Sequence, residues 1–211
     1  MTNINCEHTE QFLNDIYLDR DYLEIKKYAN ENKIPIMKLE TKEFLKSLLL
    51  IKKPKNILEI GSAVGYSSLI FSKYSNSRIT TIEKSEKMYK IALNNFKKYH
   101  KNIEIINEDA IKALDNIDQG FDFVFIDANK AHYRDYFDIC KDKLLNKDGI
   151  IVCDNVLFRG QISNDDLYER RQTTIIKRLR KFLTYITNLQ SYQTSIIPIG
   201  DGISITSEIR S

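Results

Sequence analysis

Three side chains carrying oxygen donors stand where two apolar runs end in the second half of the chain. Asp127 follows Phe123-Val124-Phe125-Ile126, and Asp154-Asn155 closes the segment that begins Ile150-Ile151-Val152. Runs of this kind read as strands buried on both faces of a parallel sheet. If the two strands are neighbours, the three side chains converge. Oxygen donors with no thiolate or imidazole among them suit a hard divalent cation such as Mg²⁺ or Mn²⁺, which accepts substrate oxygens in its remaining positions. Lys130 lies three residues beyond Asp127. A lysine partly stripped of water beside a cation gives up its proton more readily. Lys130 could then act as general base toward a hydroxyl whose acidity the cation has raised. Asp127 and Lys130 are therefore the candidate catalytic residues, and Asp127, Asp154 and Asn155 the candidate metal ligands. Taken singly, each has an ordinary alternative: a capping aspartate, an Asp-Asn turn, a solvated lysine.

A second group of residues surrounds a glycine turn. The stretch Asn56-Ile57-Leu58-Glu59-Ile60-Gly61-Ser62-Ala63-Val64-Gly65-Tyr66-Ser67 reads as a buried strand that breaks into a tight turn and enters a helix. A dinucleotide site would be spelled G-x-G-x-x-G. Here Ala63 and Tyr66 occupy the second and third glycine positions, which argues against a dehydrogenase. The turn instead fits a nucleoside-bearing ligand without a pyrophosphate, such as S-adenosylmethionine, with Glu59, Gly61 and Gly65 as cofactor-binding candidates. Glu83 ends the next apolar run, about twenty residues after the first glycine, where an acid can accept hydrogen bonds from ribose hydroxyls. Asp109, in Glu108-Asp109-Ala110, could meet an adenine amino group. With Asp127 and Asp154, acids stand at five consecutive predicted strand ends.

Those strands are predicted at residues 56–60, 78–83, 103–107, 121–127 and 149–154. Helical patterns fall between and after them, at 66–74, 87–99, 110–116 and 133–145. This alternation predicts a parallel sheet covered by helices on both faces. Residues 1–52 read as an N-terminal helical part, with a broken stripe of Phe12, Ile16, Leu23 and Ile25 and a second helix at 37–51. Residues 164–189 read as one long helix with Ile175, Leu179, Phe182 and Ile186 on its buried stripe. Ser195-Ile196-Ile197-Pro198-Ile199 and Ile203-Ser204-Ile205-Thr206, joined by Gly200-Asp201-Gly202, predict a hairpin. The whole is expected to be one domain: a Rossmann-like, doubly wound α/β sheet of seven strands, closed by an antiparallel C-terminal hairpin over residues 53–211.

Composition narrows the class. With 211 residues, 42% hydrophobic and 29% charged, the chain suits a globular domain with a sizeable core. No secretory signal or membrane-length apolar run is present, so no membrane role is expected. Cys6, Cys140 and Cys153 are far apart, and His8, His100 and His132 are scattered. Buried thiols in a reducing cytoplasm are expected rather than disulfides or zinc. The net charge of +3 does not call for a polyanionic partner, but its distribution does. Arg170, Arg171, Lys177, Arg178, Arg180 and Lys181 lie in a segment without an acid, and Lys97, Lys98, His100 and Lys101 form a smaller cluster. Clustered bases attract a phosphate backbone. The solvated face of an amphipathic helix would look the same.

Glu59-x-Gly61-x-x-x-Gly65-Tyr66-Ser67, Asp127-Ala128-x-Lys130 and Asp154-Asn155-Val156-Leu157 together resemble the cation-dependent class I O-methyltransferases of the catechol and caffeoyl-CoA type. The resemblance runs from about Ile34 onward. Within that family, Ile34-Pro35-Ile36-Met37, Asn155-Val156-Leu157-Phe158-Arg159-Gly160 and Pro198-Ile199-Gly200-Asp201-Gly202 are most similar to the bacterial tRNA 5-hydroxyuridine methyltransferases. The resemblance implies that Met37, Ser67, Glu83, Asp109, Ala110 and Asp127 line the S-adenosylmethionine site. It further implies that Asp127, Asp154 and Asn155 hold Mg²⁺, that Lys130 is the base, and that a homodimer meets the anticodon region of tRNA, with Arg159 and the basic segment as candidate contacts. Ser62 stands where the family usually has Thr. Asn129 stands where Ala or Asp is common, which bears on the substrate pocket. Two other readings stay open: a small-molecule catechol-type methyltransferase, and a nucleotide-binding module without catalysis.

Overall fold

The computed structural model describes residues 7–167 and 170–209. Cys6 lies outside them. Seven strands form one sheet in the order β3-β2-β1-β4-β5-β7-β6. They are β1 (Asn56–Ile60), β2 (Arg78–Ile82), β3 (Glu104–Ile106), β4 (Phe121–Ile126), β5 (Leu145–Cys153), β6 (Tyr192–Ile197) and β7 (Ile203–Glu208). The first five run parallel, and β7 pairs antiparallel to both β5 and β6. The sheet is thus the expected doubly wound one with its antiparallel hairpin.

Helices cover both faces: α1 (Glu7–Ile16), α2 (Leu23–Glu31), α3 (Leu39–Lys52), α4 (Tyr66–Tyr74), α5 (Glu86–Lys98), α6 (Ala110–Asp115), α7 (Tyr133–Ile139) and α8 (Thr173–Thr187). Strand alternation divides the core between the two faces. Leu58, Ile60, Val124, Ile126, Ile151 and Cys153 pack toward α6, α7 and α8. Ile57, Phe123, Phe125 and Val152 pack toward α3, α4 and α5. The N-terminal part is tied down by a buried ion network. Lys42 of α3, 1% exposed, pairs with Asp19, Asp21 and Glu43, and Asp21 also meets Lys73 of α4.

Two expectations are corrected. Residues 164–189 do not form one helix. Two short 3₁₀ turns (Asp165–Leu167 and Arg170–Gln172) occupy its first part before α8 begins, and Arg180 ties Ile162 and Asp165 to the helix; a third, Phe158–Ser163, lies just upstream with Arg159 and Gly160 in left-handed backbone angles. The buried face of α8 is Ile176, Leu179, Phe182, Leu183 and Ile186, so Ile176 holds the fully buried place expected of Ile175. The helix expected at 133–145 ends in a π-helical turn, Cys140–Leu144, and β5 begins at Leu145.

The parallel ladder continues one residue past several strands, and this fixes the chemically interesting positions. The Gly61 amide donates to the Ile82 carbonyl (2.9 Å), Glu83 to Ile106 (3.0 Å), Asp127 to Ile60 (3.0 Å) and Asp154 to Ile126 (3.0 Å). Each residue is therefore held on its neighbour's strand at the carboxyl edge, where open α/β sheets bind ligands. Gly61 has φ 96°, and a Cβ there would overlap the Asp127 carbonyl oxygen. Replacing Gly61 with alanine combines left-handed strain of ~1–2 kcal/mol with displacement of the backbone that carries Asp127. We expect about 2–4 kcal/mol of destabilisation, read as a lower urea midpoint with unchanged slope.

Candidate active site

A cavity of about 560 Å³ opens at this edge. One wall comes from the turns after β1, β2 and β3 and from the loop before α3: Met37, Gly61, Ala63, Glu83, Asp109 and Ala110. The opposite wall comes from the segments after β4 and β5: Asp127, Lys130, Asp154, Asn155 and Arg159. A narrow recess beside it is lined by Met37, Gly61, Ser67 and Asp127.

On the first wall the carboxylate of Glu83 is oriented by two amides, Ala63 (2.9 Å) and Ser85 (2.7 Å). Asp109 caps α6 through the Ile111 amide (3.1 Å) and pairs with Lys84 (2.9 Å), which holds its carboxyl below the usual range. Capping and cavity lining are thus combined in one residue. Glu59 and Gly65 do not line the cavity. Glu59 is one residue short of the strand end, so alternation turns it onto the α4 face, fully buried beneath the Ser68 and Thr81 hydroxyls. Gly65 (φ 81°) begins α4 against the Phe96 ring.

Burial pushes the Glu59 carboxyl up to about 7, against the hydroxyls of Ser67, Ser68 and Thr81. Its other oxygen, Oε1, has no partner. A carboxyl raised from its unfolded value favours folding at low pH, and that advantage is lost as pH rises toward 7. Deprotonation at pH 8 therefore costs about 3 kcal/mol. Glu59→Gln should flatten the fall in melting temperature between pH 5 and 8. An unchanged pH profile would contradict this.

The second wall is strongly electronegative. Asp154 is buried and Asp127 half-buried, and desolvation raises both carboxyls above the usual range. Asp127 raises Asp154 further, to about 7, while Lys130 opposes the shift at both. The Lys130 Nζ donates to Asn155 Oδ1 at 3.1 Å and lies 5.5 Å from the centre of the Tyr133 ring. The buried Tyr133 hydroxyl donates to the Asp154 carbonyl at 2.9 Å. The Asn155 amide donates to Asp154 Oδ1 at 2.6 Å, and Asn155 has φ 55°, a backbone region that asparagine tolerates well. Two carboxylates and an amide oxygen facing one lysine leave an excess of negative charge. That donor set fits a hard divalent cation.

Other lining residues were not foreseen. Lys38 and Asp201 pair at 3.2 Å across the cavity, and Lys38 also meets Glu10 of α1 at 3.5 Å. Asp201 lies in the β6–β7 turn, which is stitched to the segment after β5 by Val156 and Leu157 amides donating to Gly202 and Asp201 carbonyls (both 3.0 Å). His132 and Tyr136 line the rim, with His132 Nδ1 2.9 Å from Asp135. An acid between two glycines beside a strand was the available signal for Asp201. Nothing in the sequence marks Lys38.

Of the basic candidates, Arg159 lines the cavity and is exposed. Arg178 reaches the Ala131 carbonyl (3.3 Å), next to Lys130. Arg180 is turned inward onto Ile162 and Asp165. Arg170, Arg171, Lys177 and Lys181 are exposed. Cys140 and Cys153 are buried free thiols. Among the described residues no helix is long and apolar enough to cross a membrane.

Known proteins resemble this chain in both sequence and fold. The family model described as O-methyltransferase matches residues 15–209. The chain is 33% identical over 192 residues to an Arabidopsis thaliana protein assigned as a caffeoyl-CoA O-methyltransferase, covering 86% of this chain and 81% of that one. A Staphylococcus aureus crystal structure assigned likewise superposes with a TM-score of 0.89 at 31% identity, covering 96% of this chain and all of that one. The S-adenosylhomocysteine-bound methyltransferase PaMTH1 of Podospora anserina superposes with a TM-score of 0.87 at 25% identity, over 97% and 95% of the two chains.

Proposed function

Given that this chain belongs to the O-methyltransferase family and is an S-adenosylmethionine-dependent O-methyltransferase, we propose that its acceptor is 5-hydroxyuridine at the tRNA wobble position, which it converts to 5-methoxyuridine with the help of a divalent cation. The gathering of Asp127, Lys130, Asp154 and Asn155 on one cavity wall, opposite Glu83 and Asp109, supports cation-assisted methyl transfer, and the observation that carries the nucleic-acid acceptor is the exposed Arg159 and Arg178 beside that wall.

In the reaction the acceptor oxygen attacks the sulfonium methyl. A C–O bond forms, the C–S bond breaks, and the products are a methyl ether, S-adenosylhomocysteine and one proton. Glu83 would accept from ribose hydroxyls and Asp109 from the adenine amino group, with Met37 against the donor. Holding the reactants in line contributes several kcal/mol. Lys130 would take the proton at Nζ, and its bond to Asn155 keeps that atom on the acceptor wall. Asp127, Asp154 and Asn155 would hold Mg²⁺ or Mn²⁺, which would supply Lewis-acid polarisation of two adjacent acceptor oxygens. The 5-hydroxyl and 4-carbonyl of 5-hydroxyuridine offer such a pair, and so do the two oxygens of a catechol.

The exposed bases beside the cavity support the nucleic-acid acceptor. The relatives assigned to caffeoyl-CoA support the second reading, a small-molecule acceptor. The free buried thiols suit a cytoplasmic enzyme. The exposed apolar residues Phe12, Ile16, Leu18 and Leu23 offer surface for a homodimer. The deciding experiment supplies labelled S-adenosylmethionine and Mg²⁺ with tRNA carrying 5-hydroxyuridine, and in parallel with a catechol. The proposal expects label in the digested nucleoside. Label in the catechol alone would assign the enzyme to small molecules.

A further inference from the structure

We infer that the exposed face of α8, continued to the cavity by Arg178 and Arg159, is a track for the phosphates of the acceptor RNA. The inference rests on the nucleic-acid reading above and says which bases make contact. α8 contains no acidic residue. Its buried side chains leave Lys177, Arg178 and Lys181 together on the opposite face, three and four residues apart, where side chains are neighbours. Arg178 connects this face to the site: its guanidinium meets the Ala131 carbonyl, between Lys130 and the rim residue His132.

Arg159 stands further along the same rim on a left-handed backbone, beside Gly160 (φ 75°). Arg180 is excluded from the track, because its guanidinium is engaged by Ile162 and Asp165. Two acids of the neighbouring helix α7 are already engaged. Asp135 meets His132, and Asp138 meets Arg134 and the Tyr185 hydroxyl.

The size of the cavity sets the geometry. About 560 Å³ must accommodate a donor nucleoside and the reacting group. A polynucleotide can enter only as one unstacked base, with its backbone left on the rim. The phosphates on either side of that base then lie where the basic side chains of α8 and Arg159 are. This chemistry selects single-stranded loop RNA over a duplex.

The test measures binding, not turnover. A fluorescent anticodon stem-loop RNA with ordinary uridine at the wobble position is titrated with the full chain over a series of salt concentrations. Lys177→Ala/Lys181→Ala should make the slope of log affinity against log salt shallower by about 1.4, and Arg178→Ala by about 0.7, at ~0.7 per single-strand phosphate contact. At 0.15 M salt the double variant should bind roughly tenfold more weakly. Lys53→Ala/Lys55→Ala removes the same charge at the opposite edge of the sheet, before β1, and should change neither quantity. Melting curves confirm that all variants fold.

Equal losses in the two double variants, or no affinity in the parent chain, would overturn the inference. So would an α8 double variant whose RNA affinity and salt slope equal those of the parent chain. If the α8 variants weaken RNA binding as expected but 5-hydroxyuridine gains no methyl group, the track stands and the nucleoside assignment falls.

Discussion

Asp154→Ala is expected to lower methyl transfer by at least about a thousandfold while leaving the protein folded. In the proposed mechanism a Lewis-acid contribution of several kcal/mol would rest on this carboxylate, and about 4 kcal/mol corresponds to a factor of a thousand. Stability should move differently. Burial and Asp127 raise the Asp154 carboxyl to about 7, so its ionisation opposes folding as pH rises toward that value. Removing it deletes that penalty and loses one amide bond, from Asn155. The variant should therefore melt no lower than the parent at pH 8 in the absence of divalent ions, and addition of Mg²⁺ should no longer raise its melting temperature. A variant that still turns over fully would sink the metal assignment.

Lys130→Met is expected to fail in a different way. Loss of a general base costs roughly 10²–10⁴-fold, and the loss should fall on kcat with little change in KM. Lys130 opposes the charge of both Asp127 and Asp154. Without it the acidic wall is more negative, so divalent-ion affinity should hold or increase. Calorimetry with Mn²⁺ separates the two variants: Asp154→Ala loses ion binding and turnover together, whereas Lys130→Met loses turnover alone. If Lys130→Met also abolished ion binding, Lys130 would be a structural support of the site and not its base.

Much of this site could be read from local pattern, because the rule that locates it is simple. Apolar runs become buried parallel strands, and the residue just beyond each run stands at the sheet's carboxyl edge. Glu83, Asp127 and Asp154 obey that rule, Asn155 and Asp109 follow within the turns that begin there, and the structure gathers all five around one cavity. Glu59 does not, although it belongs to the same glycine motif. It sits one residue inside β1, and a strand's two-residue period turns it onto the α4 face.

The residues that escaped notice depend on distant parts of the chain. Lys38 lines the cavity only because the loop before α3 meets the β6–β7 turn. The break before α8 was hidden for a similar reason. Residues 164–189 have helical composition, but Arg180 draws the chain at Ile162 and Asp165 back onto α8. No window along the sequence contains both partners of such a contact with any mark that they belong together.

β7 is made after β6 yet lies inside it, between β6 and β5. β6 has β7 as its one neighbour in the sheet, so it can join only with or after that strand. The turn carrying Asp201 and Gly202, and the carbonyls that secure Val156 and Leu157, arrive with that same late hairpin. The wall that carries Asp127 and Asp154 is therefore finished only when β7 lies against β5. A ribosome stalled before Ile203 would expose a partly formed enzyme with an open sheet edge along β5, a surface prone to pairing with other chains.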